Sequence, residues 1–221
     1  MRLGDACTKI GSGATSRGGK DTYKSAGIPL IRSQNVLDYS FAAAGLAFID
    51  DQQAQLLSNV AVQENDVLIN ITGDSVARVC MAPADCVPAR VNQHVAIVRA
   101  SAQKADPYYL LYSLQFLKPH LLSIGSSGGT RNALTKQMLE NLDINLPPLP
   151  AQIEIGRTLR ALDDKIANNA KINHHLAVRS GTDSSPDIRR GRRVSRVVAS
   201  PSFSRPFAKI VSMKVSTASV N

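Results

Sequence analysis

Residues 146–150 read Leu-Pro-Pro-Leu-Pro, and no other feature limits the fold of this chain so strongly. Proline has no backbone donor and fixes φ, so three prolines in four residues interrupt helix and ladder alike. They predict a stiff, extended connector over residues 147–150. Beyond it, Ile155, Leu159, Leu162 and Ile166 step by four, three and four, the spacing of a coiled-coil seam. The same step leads on to Asn169, Asn173 and Leu176. Asn in a seam lowers stability but fixes register and partner number. The spacing therefore predicts a long spacer or dimerisation helix over residues 151–177. The alternative is an amphipathic helix lying on its own domain; the proline connector favours pairing, because it separates the helix from the domain before it.

Residues 1–146 have another character: short apolar runs among Gly, Asn, Asp and Pro. Residues 28–31, 76–81 and 94–98 are strand candidates. Residues 61–62 and 67–71 flank a polar turn and predict a pair of strands joined by it. Residues 50–57 predict a short helix capped by Asp50 or Asp51. Residues 106–117 predict a better one, with Pro107 in the first turn and Leu110, Leu111, Leu114 and Leu117 as its apolar stripe. Residues 135–141 are a further short helix candidate. The expected class is α+β: a curved mixed β-sheet with short helices, followed by one long coiled-coil-forming helix.

The formal net charge of +9 resembles a nucleic-acid binder's, but it is unevenly placed. Residues 1–176 carry 17 Lys and Arg against 15 Asp and Glu; residues 177–221 carry 9 against 2. A basic, Ser- and Pro-rich segment over 178–221 is expected to be a disordered tail, adding only non-specific attraction to phosphate. No apolar run approaches the roughly 18 residues of a membrane span. The first residues, MRLGDACTKIGSG, lack the apolar centre of a secretion signal. Cys7, Cys80 and Cys86 form no C-x-x-C, which predicts neither a disulfide nor a metal site. Together these features predict a cytoplasmic chain.

Catalytic constellations are not found. Aligning Lys20 with the lysine of a phosphate-binding loop puts Ala14 where glycine belongs and Asp21 where a magnesium-binding hydroxyl belongs. Asp106-Pro107-Tyr108-Tyr109 resembles the Asp/Asn-Pro-Pro-Tyr/Phe signature of adenine amino-methyltransferases, without the second proline and without a Gly-rich cofactor loop; a helix start explains it equally well. His94 in its apolar run reads as a hydrogen-bonded core residue, and His174 and His175 as solvent-facing. No hydrolase or metalloprotease motif is present.

Side chains suited to gripping or reading nucleic acid are plentiful. Ser12, Thr15, Arg17 and Lys20 lie in a Gly-rich stretch, where backbone N–H groups approach phosphates closely. Arg32, Ser33, Gln34 and Asn35 follow a predicted strand, and Arg, Gln and Asn make bidentate contacts to base edges. Arg131 closes a second Gly-rich stretch. Each cluster alone could be an ordinary turn or an ion pair; three in one domain point to nucleic-acid recognition.

Six segments then carry a resemblance: residues 7–17 (CTKIGSGATSR), 27–36 (GIPLIRSQNV), 67–80 (VLINITGDSVARVC), 90–98 (RVNQHVAIV), 128–134 (GGTRNAL) and 146–164 (LPPLPAQIEIGRTLRALDD). In this order, over about residues 1–176, the chain resembles the specificity subunit of type I restriction-modification enzymes. The resemblance implies that residues 1–146 are a target recognition domain for one half of a split duplex DNA site. It implies that the helix is a spacer paired with a second one. It further implies docking to modification subunits that methylate adenine N6 and to a restriction subunit. S-adenosylmethionine, ATP and magnesium would belong to those partners, and no cofactor or catalysis to this chain. Arg78 joins the expected DNA contacts through its motif.

The chain also departs from the family. It has one recognition domain and one helix where two of each are expected, so it should pair with a second copy, pair with another half-subunit, or be a truncated remnant. The abrupt change to Arg-Ser-Pro composition after residue 176 resembles a shifted reading frame. Asp74 and Ala77 stand where a small residue and a Gly are expected, and Asp74 would repel phosphate. Two readings follow: a DNA-reading half-subunit, or an assembly protein of the same system that no longer reads DNA. The helix-pairing residues in either are Ile155, Leu159, Leu162, Ile166 and Asn169.

Overall fold

The computed structural model describes residues 1–14, 23–126 and 132–181, with side chains to residue 176. In chain order the elements are α1 (Leu3–Ala6), β1 (Cys7–Ser12), β2 (Ile28–Ile31), β3 (Ala47–Ile49), α2 (Asp51–Leu56), β4 (Ala61–Val62), β5 (Val67–Asn70), β6 (Val79–Met81), β7 (Ala89–Val91), β8 (Val95–Ala100), α3 (Pro107–Phe116), α4 (Lys118–Ser126), α5 (Lys136–Glu140) and α6 (Leu149–Gly181). They form two compact units, Met1–Arg157 and the part of the chain from Thr158 onward.

The first unit is α+β, with two four-stranded sheets rather than one. One sheet has the order β1-β8-β5-β6 and is antiparallel throughout. The other has the order β3-β2-β7-β4; β2 and β7 run parallel there, and the remaining pairs antiparallel. Leu68, Cys80, Val95 and Ile97 of the first sheet share a core with Leu30, Ile31, Ile49, Val62, Ala89 and Val91 of the second. Helix α3 packs on β5, β6 and β8 and supplies the buried Leu110, Leu111 and Leu114. β5 is thus covered on both faces. That explains why Val67-Leu68-Ile69 is a continuous apolar run and not an alternating one.

Local rules account for the helix starts. Asp50 caps α2, accepting from the Gln53 N–H at 2.9 Å. Asp106 caps α3, accepting from the Tyr109 N–H at 2.8 Å, with Pro107 in the first position. The Asp-Pro-Tyr-Tyr segment is therefore a helix start. Thr135 caps α5 through the Met138 N–H.

Three expectations are corrected. Residues 61–62 and 67–71 are not partners: β4 pairs with β7, while β5 pairs with β6 and β8. The turn between them crosses from one sheet to the other, because Asp66 is buried and held by Arg99 instead of closing a hairpin. The strand expected over 76–81 begins only at Val79, since Ala77 has a left-handed φ of 62° and ends a loop. Leu149 and Pro150 belong to α6, although the proline run predicts a connector as far as residue 150. Proline is tolerated in the first turn, where its missing N–H has no intrahelical partner. Gln152 anchors that turn: its Oε1 accepts from the Asp106 N–H at 3.1 Å, and its Nε2 donates to the carbonyls of Lys104 at 3.0 Å and Pro147 at 2.8 Å.

Of the seam positions on α6, Ile155 is half-buried and Leu159 buried, whereas Leu162 and Ile166 are exposed, as are Asn169, Ile172 and Leu176. The exposed part of the seam therefore starts at Leu162, seven residues later than the spacing implies. His174 and His175 are exposed. Among the described residues, no helix is long and apolar enough to cross a membrane.

Candidate nucleic-acid interface

The strand ends β2 and β5 each give way to a polar loop, and the two loops meet. Residues 33–35 form a short 3-10 turn after β2, and residues 73–75 form another after β5. Ser33, Gln34, Thr72, Gly73, Asp74, Ser75, Arg78 and His94 line an open cavity of about 460 Å³. The wall from the β2 turn carries a hydroxyl and an amide. The wall from the β5 loop carries two hydroxyls, a carboxylate and a guanidinium. His94, just before β8, lies on the same cavity.

Backbone bonds fix the second wall. The Asn70 N–H donates to the Arg78 carbonyl and the Ala77 N–H to the Asn70 carbonyl, each at 2.9 Å, closing the loop at its base. The Gly73 N–H donates to the Asn132 carbonyl at 3.1 Å, and Thr72 bridges to Ala133, so residues 132–134 support it from outside. The left-handed backbone at Ala77 is where the family pattern leads one to expect Gly; Cβ crowding makes that conformation unfavourable for Ala.

His94 is hydrogen-bonded as expected, but it is half-buried on the cavity wall and not in the core. Its Nδ1 lies 2.6 Å from the Thr72 hydroxyl and its Nε2 3.0 Å from the Gln93 amide nitrogen. One ring nitrogen thus faces a hydroxyl and the other an amide, and which of the two donates depends on the tautomer.

The sequence-derived contacts fare differently from one another. Ser33, Gln34 and Arg78 converge on the cavity. Ser12 is exposed at the end of β1, opposite Ala96. Arg32 is engaged within the chain: its Nη2 donates to the Gly45 carbonyl at 2.6 Å, and its guanidinium lies 5.2 Å over the Tyr23 ring. Asn35 is fully buried; it accepts from the Arg32 N–H at 3.0 Å and donates to the Ala42 carbonyl at 2.8 Å. A side chain with no exposed atom has nothing to offer a base, so the expected base contact at Asn35 is replaced by a turn-holding role. Thr15, Arg17, Lys20 and Arg131 lie outside the described residues, as does the basic segment beyond residue 181. Thr72, Ser75 and His94 were not anticipated. Thr72 and Ser75 stand in the polar run directly after β5, a pattern shared with residues 32–35 after β2, whereas His94 carries no such signal.

Hydroxyls, an amide and one guanidinium around an open cavity suit hydrogen bonding to phosphate oxygens and base edges. Among the described residues no cluster of His, Cys, Asp and Glu could hold a metal ion. The three cysteines are free.

Comparison with known proteins agrees with this chemistry. Residues 1–177 match the family model described as type I restriction modification DNA specificity domain. A putative type I restriction enzyme MjaX specificity subunit from Methanocaldococcus jannaschii is 32% identical over 105 residues, covering 48% of this chain and 24% of the relative. A chain from a structural study of complex assembly and conformational transition of the type I R-M system superposes with a TM-score of 0.60 at 24% identity, covering 81% of this chain and 41% of the other. The HsdS subunit from Thermoanaerobacter tengcongensis superposes with a TM-score of 0.56 at 24% identity, covering 76% and 38%. The matches thus span only a quarter to about two fifths of these relatives' own length. A family match over residues 1–177, on a fold shared with such subunits, shows that the chain belongs to the type I restriction-modification DNA specificity domain family.

Proposed function

We propose that this chain reads one half of a bipartite duplex DNA target and docks the modification and restriction subunits of a type I system in the cytoplasm. The convergence of Ser33, Gln34, Thr72, Ser75 and Arg78 on one open cavity carries the reading. Gln34 and Arg78 are the base-reading candidates, because an amide and a guanidinium present paired hydrogen-bonding groups in one plane. The hydroxyls suit phosphate, which positions the duplex without reading it. The chain supplies recognition and no chemistry; S-adenosylmethionine, ATP and magnesium would act in the partner subunits. Leu162, Ile166, Asn169 and Leu176 form the face for a second helix, from another copy or from another half-subunit. A two-fold pair would read a palindromic, interrupted site.

Asp74 favours a second reading. Its carboxylate lines the cavity and opposes phosphate, as expected of an assembly protein that no longer reads DNA. Co-expression with a cognate modification subunit and genome-wide mapping of N6-methyladenine separates the two. An interrupted motif with palindromic halves supports a paired reader, and an asymmetric motif a borrowed second half. A complex that forms without methylation supports the assembly reading.

A further inference from the structure

Asn70 is fully buried at the end of β5 and touches both walls of the cavity's foundation. Its backbone closes the loop that carries Thr72, Ser75 and Arg78, through the bonds to Arg78 and Ala77. Its side chain reaches the turn of the other sheet: Nδ2 donates to the Ser33 carbonyl at 2.9 Å and to the Val36 carbonyl at 3.2 Å. A primary amide has two hydrogens, and these two carbonyls take both. The amide is therefore fixed in one orientation, although Oδ1 is then buried with no partner among the described residues. A buried acceptor without a donor is unfavourable. The reversed amide would be worse, because it would press Oδ1 against two carbonyl oxygens.

The turn that Asn70 holds is already a unit. Asn35 ties it internally, from the Arg32 N–H to the Ala42 carbonyl. Asn70 therefore acts on where the turn lies, not on its shape. The turn leaves β2 in one sheet, and Asn70 ends β5 in the other. Base readout requires hydrogen-bond distances within a few tenths of an ångström, so the separation of the walls matters as much as the side chains on them.

We propose that Asn70 is the positioning residue of the recognition site: it holds the Ser33–Gln34 wall and the Thr72–Arg78 wall at one separation and so sets which base edges Gln34 and Arg78 reach together. The proposal rests on the DNA-reading function above. A residue that never meets DNA then controls sequence preference.

The test uses the full chain as wild type, Asn70→Ser and Gln115→Ala. Serine is too short to reach both carbonyls. Gln115 is the control, since it too is buried and donates to a strand carbonyl, that of Val79 at 2.5 Å, while neither Gln115 nor Val79 lines the cavity. Two quantities are read: amide hydrogen exchange over residues 33–36 and 72–78, and selection from a pool of randomised duplexes. For Asn70→Ser, exchange should rise in both segments together, and discrimination between the selected duplex and its single-base variants should fall about tenfold. Binding to unrelated duplex should change by less than about twofold, because a phosphate accepts from many directions and tolerates a small shift of the hydroxyls, whereas a paired base contact does not. Gln115→Ala should lower the melting temperature and leave preference and both segments unchanged. Equal weakening for every duplex, or an unchanged preference, overturns the positioning role while leaving DNA reading intact. A wild-type chain that selects no sequence removes the DNA-reading function, and the positioning role with it. If Asn70→Ser does not fold, Asn70→Gln carries the test: it keeps both donors one methylene further out and should alter the selected sequence, and an unaltered selection overturns the proposal.

Discussion

Arg99 on β8 holds Asp66 through both carboxylate oxygens, Nε to Oδ1 at 2.7 Å and Nη2 to Oδ2 at 2.8 Å. The same Nη2 donates to the carbonyl of Ala61 on β4, in the other sheet, at 3.0 Å. Asp66 is fully buried and also accepts from the Gln63 N–H. One bidentate pair therefore staples the crossover between the sheets. Removing one partner of such a pair leaves a charge without compensation, so Asp66→Ala should destabilise the chain by about 3 kcal/mol or more. Urea unfolding at neutral pH checks this, and a loss below about 1 kcal/mol counts against the staple.

The glycines at the end of β1 should respond in opposite ways. A Cβ on Gly13 would lie 1.6 Å from the Val91 carbonyl oxygen, and its N–H already donates to the Asn92 carbonyl at 3.2 Å. A Cβ on Gly11 meets nothing within 4 Å. Gly13→Ala should cost about 2 kcal/mol or more, since backbone cannot yield as a side chain does. Gly11→Ala should be neutral or stabilising by up to about 1 kcal/mol, through the lower entropy of the unfolded chain. Melting temperatures of the two variants measured side by side decide the matter.

Gln152 makes the start of α6 part of the first unit. Gln152→Leu fills similar space but leaves one N–H and two carbonyls without their part-buried partner, which should cost roughly 1–3 kcal/mol. Hydrogen exchange at residues 104–109 should rise in the variant; unchanged protection there would show that the anchor lies elsewhere.

Exposed Leu162 and Ile166 should govern association, not folding. The double variant Leu162→Lys with Ile166→Lys removes apolar surface only from positions open to solvent. Its thermal unfolding monitored on the first unit should match wild type, while light scattering should give a larger mass for wild type than for the variant. An oligomer of undiminished mass would place the pairing face away from this seam.

Cys80 gives the chain an alkaline limit. Burial pushes its thiol from 9.0 up to about 12, the nearby Asp38 raising it further and the Leu37 backbone opposing. A raised folded-state value means that the unfolded chain loses its proton first. The associated stability is complete below pH 9 and is lost as pH rises toward 12. Cys80→Ala should flatten the decline in stability over that range, and the native thiol should resist alkylation at pH 8 until the chain is unfolded. Rapid native alkylation at Cys80 would contradict its burial.

Much of this architecture was legible in local chemistry. The helix starts near residues 50, 106 and 135 and the strand candidates at residues 28–31 and 94–98 follow from residue type and spacing, because a helix start or an apolar run acts within one or two turns of chain. Pairing was not legible. Residues 61–62 and 67–71 look like a hairpin, and only the Asp66–Arg99 pair, thirty-three residues apart, makes the turn a crossover. The candidate site divides the same way: Gln34 could be picked by type and Arg78 by its motif, whereas Thr72 and His94 could not.

By itself the sequence determined that this is an α+β domain ahead of a long helix, with loops rich in polar side chains; resemblance in ordered motifs gave the family. Tertiary structure alone decided which of those side chains are available. Arg32, Gln34 and Asn35 are near neighbours with equal claims on a base edge. Folding buries Asn35, turns Arg32 onto Gly45 and Tyr23, and leaves Gln34 exposed at the cavity with its amide donating to the same Gly45 carbonyl at 3.2 Å. The reason is that the backbone groups of the turn need partners, and the nearest polar side chains supply them before any ligand arrives. Residue type shows what a side chain can bind; the carbonyls around it decide whether it is still free to do so.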